Sequence, residues 1–197
     1  MLYPNLTSKR IILASKSPRR LELVRGLELE PEVIVRDVDE SYPLSVMGTD
    51  VAEFVTRAKA TAFTDMLGLN DVIITGDTVV LLDDEILEKP SNFEEAALML
   101  RKLSGRTHVV ASGVAVTTLI GGKPKTSCEV DTCKVTFEEL TDEMISHYID
   151  SYKPFDKAGS YGVQDLIGFI GVSSINGSFY TVMGLPVHIL HKMLQEV

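Results

Sequence analysis

This chain of 197 residues has only two cysteines, no tryptophan and no excess of positive charge. The formal net charge is -9 and the pI is about 4.9, so long-range attraction to nucleic acid or to an anionic membrane is not expected. A small anion can still bind where basic side chains cluster. The two cysteines, Cys128 and Cys133, are five residues apart on one predicted strand, which favours neither a mutual disulfide nor a shared metal. They indicate reduced thiols in a cytoplasmic protein.

Long hydrophobic segments and linkers are also missing. The first ten residues, MLYPNLTSKR, have no long apolar core of the kind found in signal peptides. Residues 166–190 carry no Asp, Glu, Lys or Arg, but they contain Pro186 and the hairpin dipeptide Asn176-Gly177. We therefore predict paired strands there instead of a membrane span. No repeat, low-complexity tract or Gly/Ser linker divides the chain, which predicts a single domain over 1–197.

The hydrophobic pattern alternates between strands and helices in the first half and becomes rich in β-formers in the second. Strands are predicted at 10–14, 32–38, 72–75, 79–82 and 85–87, with a long antiparallel pair at 108–120 and 126–137. Helices are predicted at 18–27, 50–67, 92–103, 141–151 and 186–195. The expected fold is α/β: a twisted mixed sheet flanked by helices, with a cleft between two lobes.

The first strand, RIILA, runs directly into the cationic turn LASKSPRR at residues 13–20. Ser17 is a good helix N-cap, and Pro18 suits the first helical position. The helix start offers free backbone N–H groups and the positive end of the dipole, to which Lys16, Arg19 and Arg20 add three full charges. This pattern predicts a site for an anion, most simply phosphate. The alternative is a strand-to-helix turn whose charges are solvated.

Two acidic residues follow predicted strands. Asp77 comes after the apolar run VIIT, and the strand ends of open α/β sheets are where ligands and reactive groups gather. A catalytic or metal-binding role competes with that of a turn aspartate that caps local backbone. Glu40, after Val38-Asp39, has the same two interpretations. Mg²⁺ prefers a few carboxylates plus substrate phosphates, so the two acids would serve if folding brings them together.

Three further side chains have polar groups suited to a nucleotide. Lys59 and Lys89 would meet phosphate as point charges, although a solvated surface lysine is the alternative for each. Gln164, in the glycine-rich loop KAGSYGVQ, offers a donor and an acceptor that would pair with a pyrimidine edge, and an ordinary loop glutamine is its alternative. His188 and His191 share a helix without a third ligand, which favours a structural role.

No nucleophile elbow, Walker loop, GxGxxG or zinc knuckle is present, so a covalent mechanism has no support. The short motifs instead resemble, in order and spacing and over nearly the whole chain, the Maf family of septum-formation-inhibitor-like nucleotide pyrophosphatases. The motifs that carry this resemblance are LASKSPRR, Asp39-Glu40, Lys59-Ala60, GDTVV, LEKP, LSGRTH, DKAGSYGVQ, INGSF and VMGLP.

The resemblance implies a Maf fold related to the inosine triphosphate pyrophosphatases, in a cytoplasmic homodimer that uses a divalent metal, Mg²⁺ or Mn²⁺. It also implies hydrolysis of nucleoside triphosphates between the α and β phosphates. Asp77 matches the family's proposed proton acceptor. The family positions that are linked to substrate choice correspond to Arg19, Thr78 and Gln164 in this sequence. Other positions of the phosphate and metal site are matched by Ser15, Arg20, Glu40, Lys59 and Lys89.

The motif YGVQ resembles the branch of the family that acts on dTTP and UTP. One departure is Thr75-Gly76-Asp77, where many members have Gly-Ala-Asp, a change that concerns backbone detail more than activity. We therefore predict a dTTP/UTP pyrophosphatase in which Asp77 directs water to the α-phosphorus and, with Glu40, holds the metal. Its partner is a nucleoside triphosphate, and neither nucleic acid nor a membrane is expected.

Two alternatives stay open from the sequence. One is a nucleotide-binding regulator of cell division or growth with little turnover. The other is a house-cleaning enzyme for modified pyrimidine nucleotides, for which dTTP and UTP are incidental substrates. Retention of both acids and of the cations favours catalysis, because a binder has little need of a base.

Overall fold

The computed structural model describes residues 2–197, which form two compact units. Unit 1 contains residues up to Asp77 together with 112–131 and 184–197. Unit 2 contains residues 78–111 and 132–183. The chain therefore passes repeatedly between the units, and three of its strands contribute residues to both.

Seven strands make up the sheet. They are β1 Arg10–Leu13, β2 Glu32–Val33, β3 Asp71–Leu82, β4 Glu85–Leu87, β5 Thr107–Ile120, β6 Lys123–Phe137 and β7 Val172–Asn176. Their order is β2-β1-β3-β5-β6-β7, and β4 pairs with β3. Both parallel and antiparallel pairs occur, which confirms the predicted mixed sheet.

In the described part of the chain, seven α-helices accompany the sheet, in agreement with the predicted α/β class. They are α1 Pro18–Arg25, α2 Asp50–Thr61, α3 Phe93–Leu103, α4 Asp142–Tyr152, α5 Leu166–Gly171, α6 Phe179–Met183 and α7 Val187–Gln195. Within residues 2–197, none of the helices has the length and apolar character needed to cross a bilayer.

Unit 1 is built on the parallel pairing of β1 with β2 and β3. Its register places Arg10 opposite Asp71 and Leu13 opposite Ile74. Strands β1 and β3 are largely buried, and their runs at 11–13 and 72–74 are apolar, as expected where a parallel sheet is covered on both faces. A buried cluster of Ile12, Ala14, Phe63, Leu67 and Ile73 packs on them. This packing fixes the start of α1 and the middle of β3, where the candidate residues lie.

In unit 2, the end of β3 forms an antiparallel hairpin with β4, with Val80 opposite Leu87. Asp83 in its turn has a φ of 53°, a left-handed conformation that Asp tolerates better than most residues. β6 and β7 also pair antiparallel, with Thr136 opposite Ser174. Helix α3 begins at Phe93, directly after its N-cap Asn92, whose side chain accepts from the backbone N–H of Glu95 at 2.9 Å.

The predicted end of the strand at Gly76 is wrong, because β3 continues without a break to Leu82. Gly and Asp are uncommon in strands, so the sequence indicated a turn. The glycine instead allows a close backbone approach: a Cβ there would lie 2.8 Å from the carbonyl oxygen of Gly113. Asp77 therefore lies within a strand. The residues before it pair with β1, and those after it pair with β4.

The paired strands predicted within 166–190 are also wrong. The segment forms α5, β7 and α6, and the partner of β7 is β6. Short apolar runs do not distinguish a buried strand from a short helix, which accounts for the error. Several boundaries differ as well: the predicted strand 32–38 is only β2, α2 ends at Thr61 instead of near Leu67, and the strand predicted at 126–137 begins at Lys123.

A buried aromatic cluster in unit 2 holds the loop that carries Gln164. His108 is 2% exposed, and its Nε2 lies 2.7 Å from the hydroxyl of Tyr161. Phe137 packs edge-on against both rings, with centroid distances of 5.3 and 5.0 Å. Burial lowers the pKa of His108 to about 4, so its imidazole is neutral at physiological pH.

We expect this histidine to make folding pH-dependent. The unfolded chain binds its proton below about pH 6.5, whereas the folded chain does so only near pH 4, so stability falls as the pH drops through this window. Between about pH 7.5 and pH 5, His108 should account for about 2 kcal/mol of lost stability. Urea unfolding at both pH values measures this loss, which should disappear in His108→Gln.

The matched control is His147→Gln, because His147 lies exposed on α4. It should keep the pH dependence of the wild-type protein. An equal pH dependence in His108→Gln and the wild type would contradict the assignment.

Candidate active site

The turn between β1 and α1 has the predicted geometry. Pro18 is the first helical residue, and the side chain of Ser17 accepts from the backbone N–H of Arg20 at 3.4 Å. The backbone N–H of Ser17 donates in turn to Ser15 Oγ at 3.1 Å. Lys16 instead pairs with Asp37 at 2.6 Å, and because both side chains are well exposed this pair contributes little.

Arg20 points from this turn into the interior of unit 1. Its Nε donates to the carbonyl of Gly184 at 2.9 Å, and its Nη1 to Ser15 Oγ at 3.4 Å. Burial lowers the pKa of its guanidinium, and the charge of Arg19 lowers it further, while Asp77 and Glu40 raise it. An arginine stays charged under such shifts at neutral pH. The first turn of α1 therefore places a fixed cation beside both predicted acids.

Lys59 joins the two predicted acids. Its Nζ lies 2.7 Å from Asp77 Oδ1 and 2.9 Å from Glu40 Oε1. The side chains of Lys59 and Asp77 are 12% and 11% exposed, whereas that of Glu40 is 46% exposed. Lys59 comes from α2, Asp77 from β3 and Glu40 from the irregular segment before α2. Folding thus brings together residues that are far apart in the sequence, as the sequence analysis required.

We call Ser15, Arg19, Arg20, Glu40, Lys59 and Asp77 the basic-acidic cluster. It combines three cations, which can bind phosphate oxygens, with two carboxylates, of which one is buried and rigidly placed. A buried carboxylate in contact with cations can orient a water molecule and accept its proton. The cluster therefore has the groups needed for hydrolysis of a phosphate anhydride by water.

The carboxylates also have the chemistry to hold a hard divalent cation. Among residues 2–197, no group of three or more His, Cys, Asp or Glu side chains is arranged for a metal ion. Glu40 and Asp77 nevertheless converge on one cationic centre, the ammonium of Lys59. Two carboxylates completed by water and substrate phosphate are typical of Mg²⁺ sites. The residues present therefore fit such an ion.

The C-terminal histidines have other partners in unit 1. His191 Nδ1 lies 2.8 Å from the hydroxyl of Tyr3, and His188 Nε2 lies 3.7 Å from Asp131. The Tyr3 contact connects α7 to the N-terminal segment. These contacts agree with the structural role expected for both.

The other three predicted residues belong to unit 2. Thr78 is its first residue and is half-buried on β3. Lys89 is exposed and comes after β4, next to the buried Pro90. Gln164 is half-buried, and its Nε2 donates to Asp165 Oδ1 at 3.0 Å.

Gln164 lines a cavity of about 470 Å³ within unit 2. The walls are mainly apolar, with two phenylalanines and two serines, and are formed by Val163, Gln164, Gly168, Phe169, Val172, Ser173, Ser174, Ile175 and Phe179. This cavity is open to solvent, since Phe169 in its wall is 81% exposed, and its volume lies in the range that small organic ligands occupy.

Sequence reasoning missed two groups that touch the predicted residues. The carbonyl of Gly184 accepts from Arg20, and Asp165 accepts from Gln164. A backbone carbonyl has no sequence signal. Asp165 adjoins Gln164 in the chain, but an adjacent acid alone does not indicate that the two side chains bond.

Comparison with known proteins identifies the family. Residues 10–197 match the family described as Maf-like protein. Proteins named "dTTP/UTP pyrophosphatase" from Bacteroides thetaiotaomicron and Parabacteroides distasonis are 46% and 45% identical, over 98% and 99% of this chain and 98% and 100% of theirs. A third protein of that name, from Bacteroides fragilis, is 44% identical over the full length of both chains.

Among solved structures, the Ham1 protein of Staphylococcus aureus has a TM-score of 0.48 at 16% identity, covering 95% of this chain and 99% of that one. The nucleoside-triphosphatase / dITP/XTP pyrophosphatase of Mycobacterium abscessus has a TM-score of 0.42 at 15% identity, covering 95% and 97%. The match over residues 10–197 and the full-length relatives show that this chain belongs to the Maf-like protein family.

Proposed function

We propose that this protein is a nucleoside triphosphate pyrophosphatase that hydrolyses dTTP and UTP to the monophosphate and pyrophosphate. The observation that carries the proposal is the basic-acidic cluster, in a chain that is 44–46% identical to full-length relatives named for this activity. The cluster supplies the chemistry, and the relatives supply the substrates.

The cations of the cluster would bind the triphosphate. A nucleoside triphosphate with its metal carries roughly two negative charges. Arg19 and Arg20 lie in the first turn of α1, where backbone N–H groups and the helix dipole also favour an anion. Ser15 adds a hydroxyl that already contacts the Arg20 guanidinium. Local charge can therefore capture an anion on a chain whose net charge is negative.

Asp77 would act as the general base. It would accept a proton from a water molecule as that water attacks the α-phosphorus, and pyrophosphate would leave from the opposite side. Lys59, at 2.7 Å, keeps the carboxylate oriented and stabilises negative charge that develops on the phosphate oxygens. Because Asp77 lies in the middle of β3, its carboxylate is held in a fixed place.

Glu40 and Asp77 would hold Mg²⁺ or Mn²⁺. When bound, such an ion neutralises the negative charge that develops on the pyrophosphate leaving group. The greater exposure of Glu40 leaves its carboxylate able to exchange Lys59 for another cation.

The residues of unit 2 would contact other parts of the nucleotide. We assign Lys89 to phosphate as a point charge, and Thr78 and Gln164 to recognition of the pyrimidine base. Arg19 also matches a position linked to substrate choice. A cytoplasmic location and a homodimeric state belong to the same proposal.

The proposal predicts that Asp77→Asn lowers kcat for UTP by about a hundredfold or more, because general-base catalysis contributes at least that factor. Asparagine keeps the size of the side chain but removes one carboxylate of the proposed metal site, so the metal dependence of the reaction should change together with turnover. Chromatography of UMP and pyrophosphate, with Mg²⁺ or Mn²⁺ and a panel of normal and modified triphosphates, measures the activity.

Asp84→Asn is the control, because Asp84 lies exposed in the turn between β3 and β4. It should keep wild-type turnover. Near-wild-type turnover of Asp77→Asn would refute the assignment of the base. UTP binding by the wild-type protein without any product would instead favour the nucleotide-binding regulator.

A second prediction concerns recognition of the pyrimidine base of the nucleotide. Gln164→Glu should lower the ratio of kcat/KM for UTP to that for CTP by about tenfold, because a carboxylate loses the N–H that bonds to Asp165, is repelled by that acid and no longer presents a fixed acceptor to the base. The control Gln195→Glu makes the same change at an exposed residue at the end of α7. An unaltered substrate profile in Gln164→Glu would count against this role.

A further inference from the structure

The orientation of the Gln164 amide is fixed by its neighbour. Its Nε2 lies 3.0 Å from Asp165 Oδ1. A carboxylate only accepts hydrogen bonds, so the NH₂ group must face Asp165 and the carbonyl oxygen must face away from it. The opposite orientation would place two acceptor oxygens in contact.

Asp165 is itself held in place by contacts with buried residues of unit 2. Its other oxygen, Oδ2, accepts from the hydroxyl of Tyr148 at 2.9 Å, and that hydroxyl accepts from the backbone N–H of Gly162 at 3.1 Å. Tyr148 is fully buried on α4. Lys157 Nζ lies 3.8 Å from the same carboxylate oxygen, and its side chain is 12% exposed. A connected series of polar contacts therefore extends from α4 to Gln164.

Gly162 shows how closely these groups pack. A Cβ at this position would lie 2.5 Å from Asp165 Oδ2 and 2.7 Å from Gln164 Nε2. Such distances leave no room for a side chain there. The glycine thus allows the carboxylate and the amide to meet beside the backbone.

The carbonyl oxygen of Gln164 is the one group of this side chain that lacks a hydrogen bond within residues 2–197. Oε1 is buried and has no hydrogen-bond partner among the described residues. A buried acceptor without a donor costs free energy, so its presence calls for an explanation. Gln164 also lines the unit 2 cavity, whose walls include Phe169 and Phe179. A ligand that supplies an N–H group would complete the hydrogen bonding of this oxygen.

We infer that Asp165 is a positioning residue for base recognition, which holds the Gln164 amide so that its oxygen accepts from the N3–H group of uracil or thymine. The inference rests on the proposed function and goes beyond it, because it assigns selectivity to the link between Asp165 and Gln164. Cytosine has a lone pair at N3 and would bring a second acceptor against Oε1, so it is rejected. Because Oε1 is shielded from water, the base reaches it only by displacing a neighbouring side chain.

The test compares kcat/KM for UTP and CTP in the full-length protein and its variants. Asp165→Ala releases the amide, which can then turn its NH₂ group toward the N3 of cytosine, and should lower the UTP-to-CTP ratio about tenfold. Asp165→Asn can still present an oxygen to Gln164, but its NH₂ group then meets the Tyr148 hydroxyl, which loses the acceptor of its own proton, so the ratio should fall clearly less than in Asp165→Ala. This rescue distinguishes positioning from loss of negative charge.

The matched control is Asp156→Asn, which removes another carboxylate that contacts Lys157, at 2.8 Å, in the same loop. It should leave the ratio unchanged. A merely structural role for Asp165 would lower kcat/KM for both substrates together, and an unchanged ratio in Asp165→Ala would overturn the inference. If Asp165→Ala does not fold, Tyr148→Phe provides the test. A fall of about fivefold in the UTP-to-CTP ratio of kcat/KM supports the inference, and an unchanged ratio overturns it.

The two proposals fail in different ways. Absence of any triphosphate cleavage by the wild-type protein contradicts the proposed function. Cleavage by the wild type with no change of selectivity in the variants contradicts only the role of Asp165.

Discussion

The ion pair between Lys59 and Asp77 is the interaction on which the candidate active site depends. An ammonium and a carboxylate that are each about nine-tenths buried must compensate one another, because either charge alone would be costly in this position. The pair joins α2 to the middle of β3, and Glu40 adds a second carboxylate from the side exposed to solvent. Continuity of β3 beyond Asp77 makes this geometry rigid, and Gly76 makes that continuity possible by admitting the backbone of Gly113.

The two units offer different chemistry. Unit 1 supplies charge: cations in the first turn of α1 and on α2, with acids beside them. Unit 2 supplies a neutral amide, fixed through Asp165 and Tyr148, in an apolar cavity. Phosphate recognition needs charge, whereas discrimination between bases needs a correctly oriented donor or acceptor and the exclusion of water. The cations of unit 1 would account for the capture of a polyanionic substrate by a chain whose net charge is negative.

The sequence predicted the parts of this arrangement that depend on local chemistry. The Ser17 cap, the helix start at Pro18 and the mixed sheet follow from residue preferences and hydrophobic pattern. It did not predict that β3 continues through Gly76, because the contact with Gly113 is made by a strand distant in sequence. The bond between Gln164 and Asp165 was missed for a related reason: its orientation is set by Tyr148, on a helix elsewhere in the chain. Local rules do not contain such tertiary contacts.

The central claim is that water, directed by Asp77, attacks the innermost phosphorus of the substrate. Hydrolysis of UTP in water enriched in ¹⁸O, followed by mass spectrometry of both products after a single turnover, tests it most directly. The account predicts one ¹⁸O atom in UMP and none in pyrophosphate. Incorporation into pyrophosphate would mean attack at the β-phosphorus and would contradict the account.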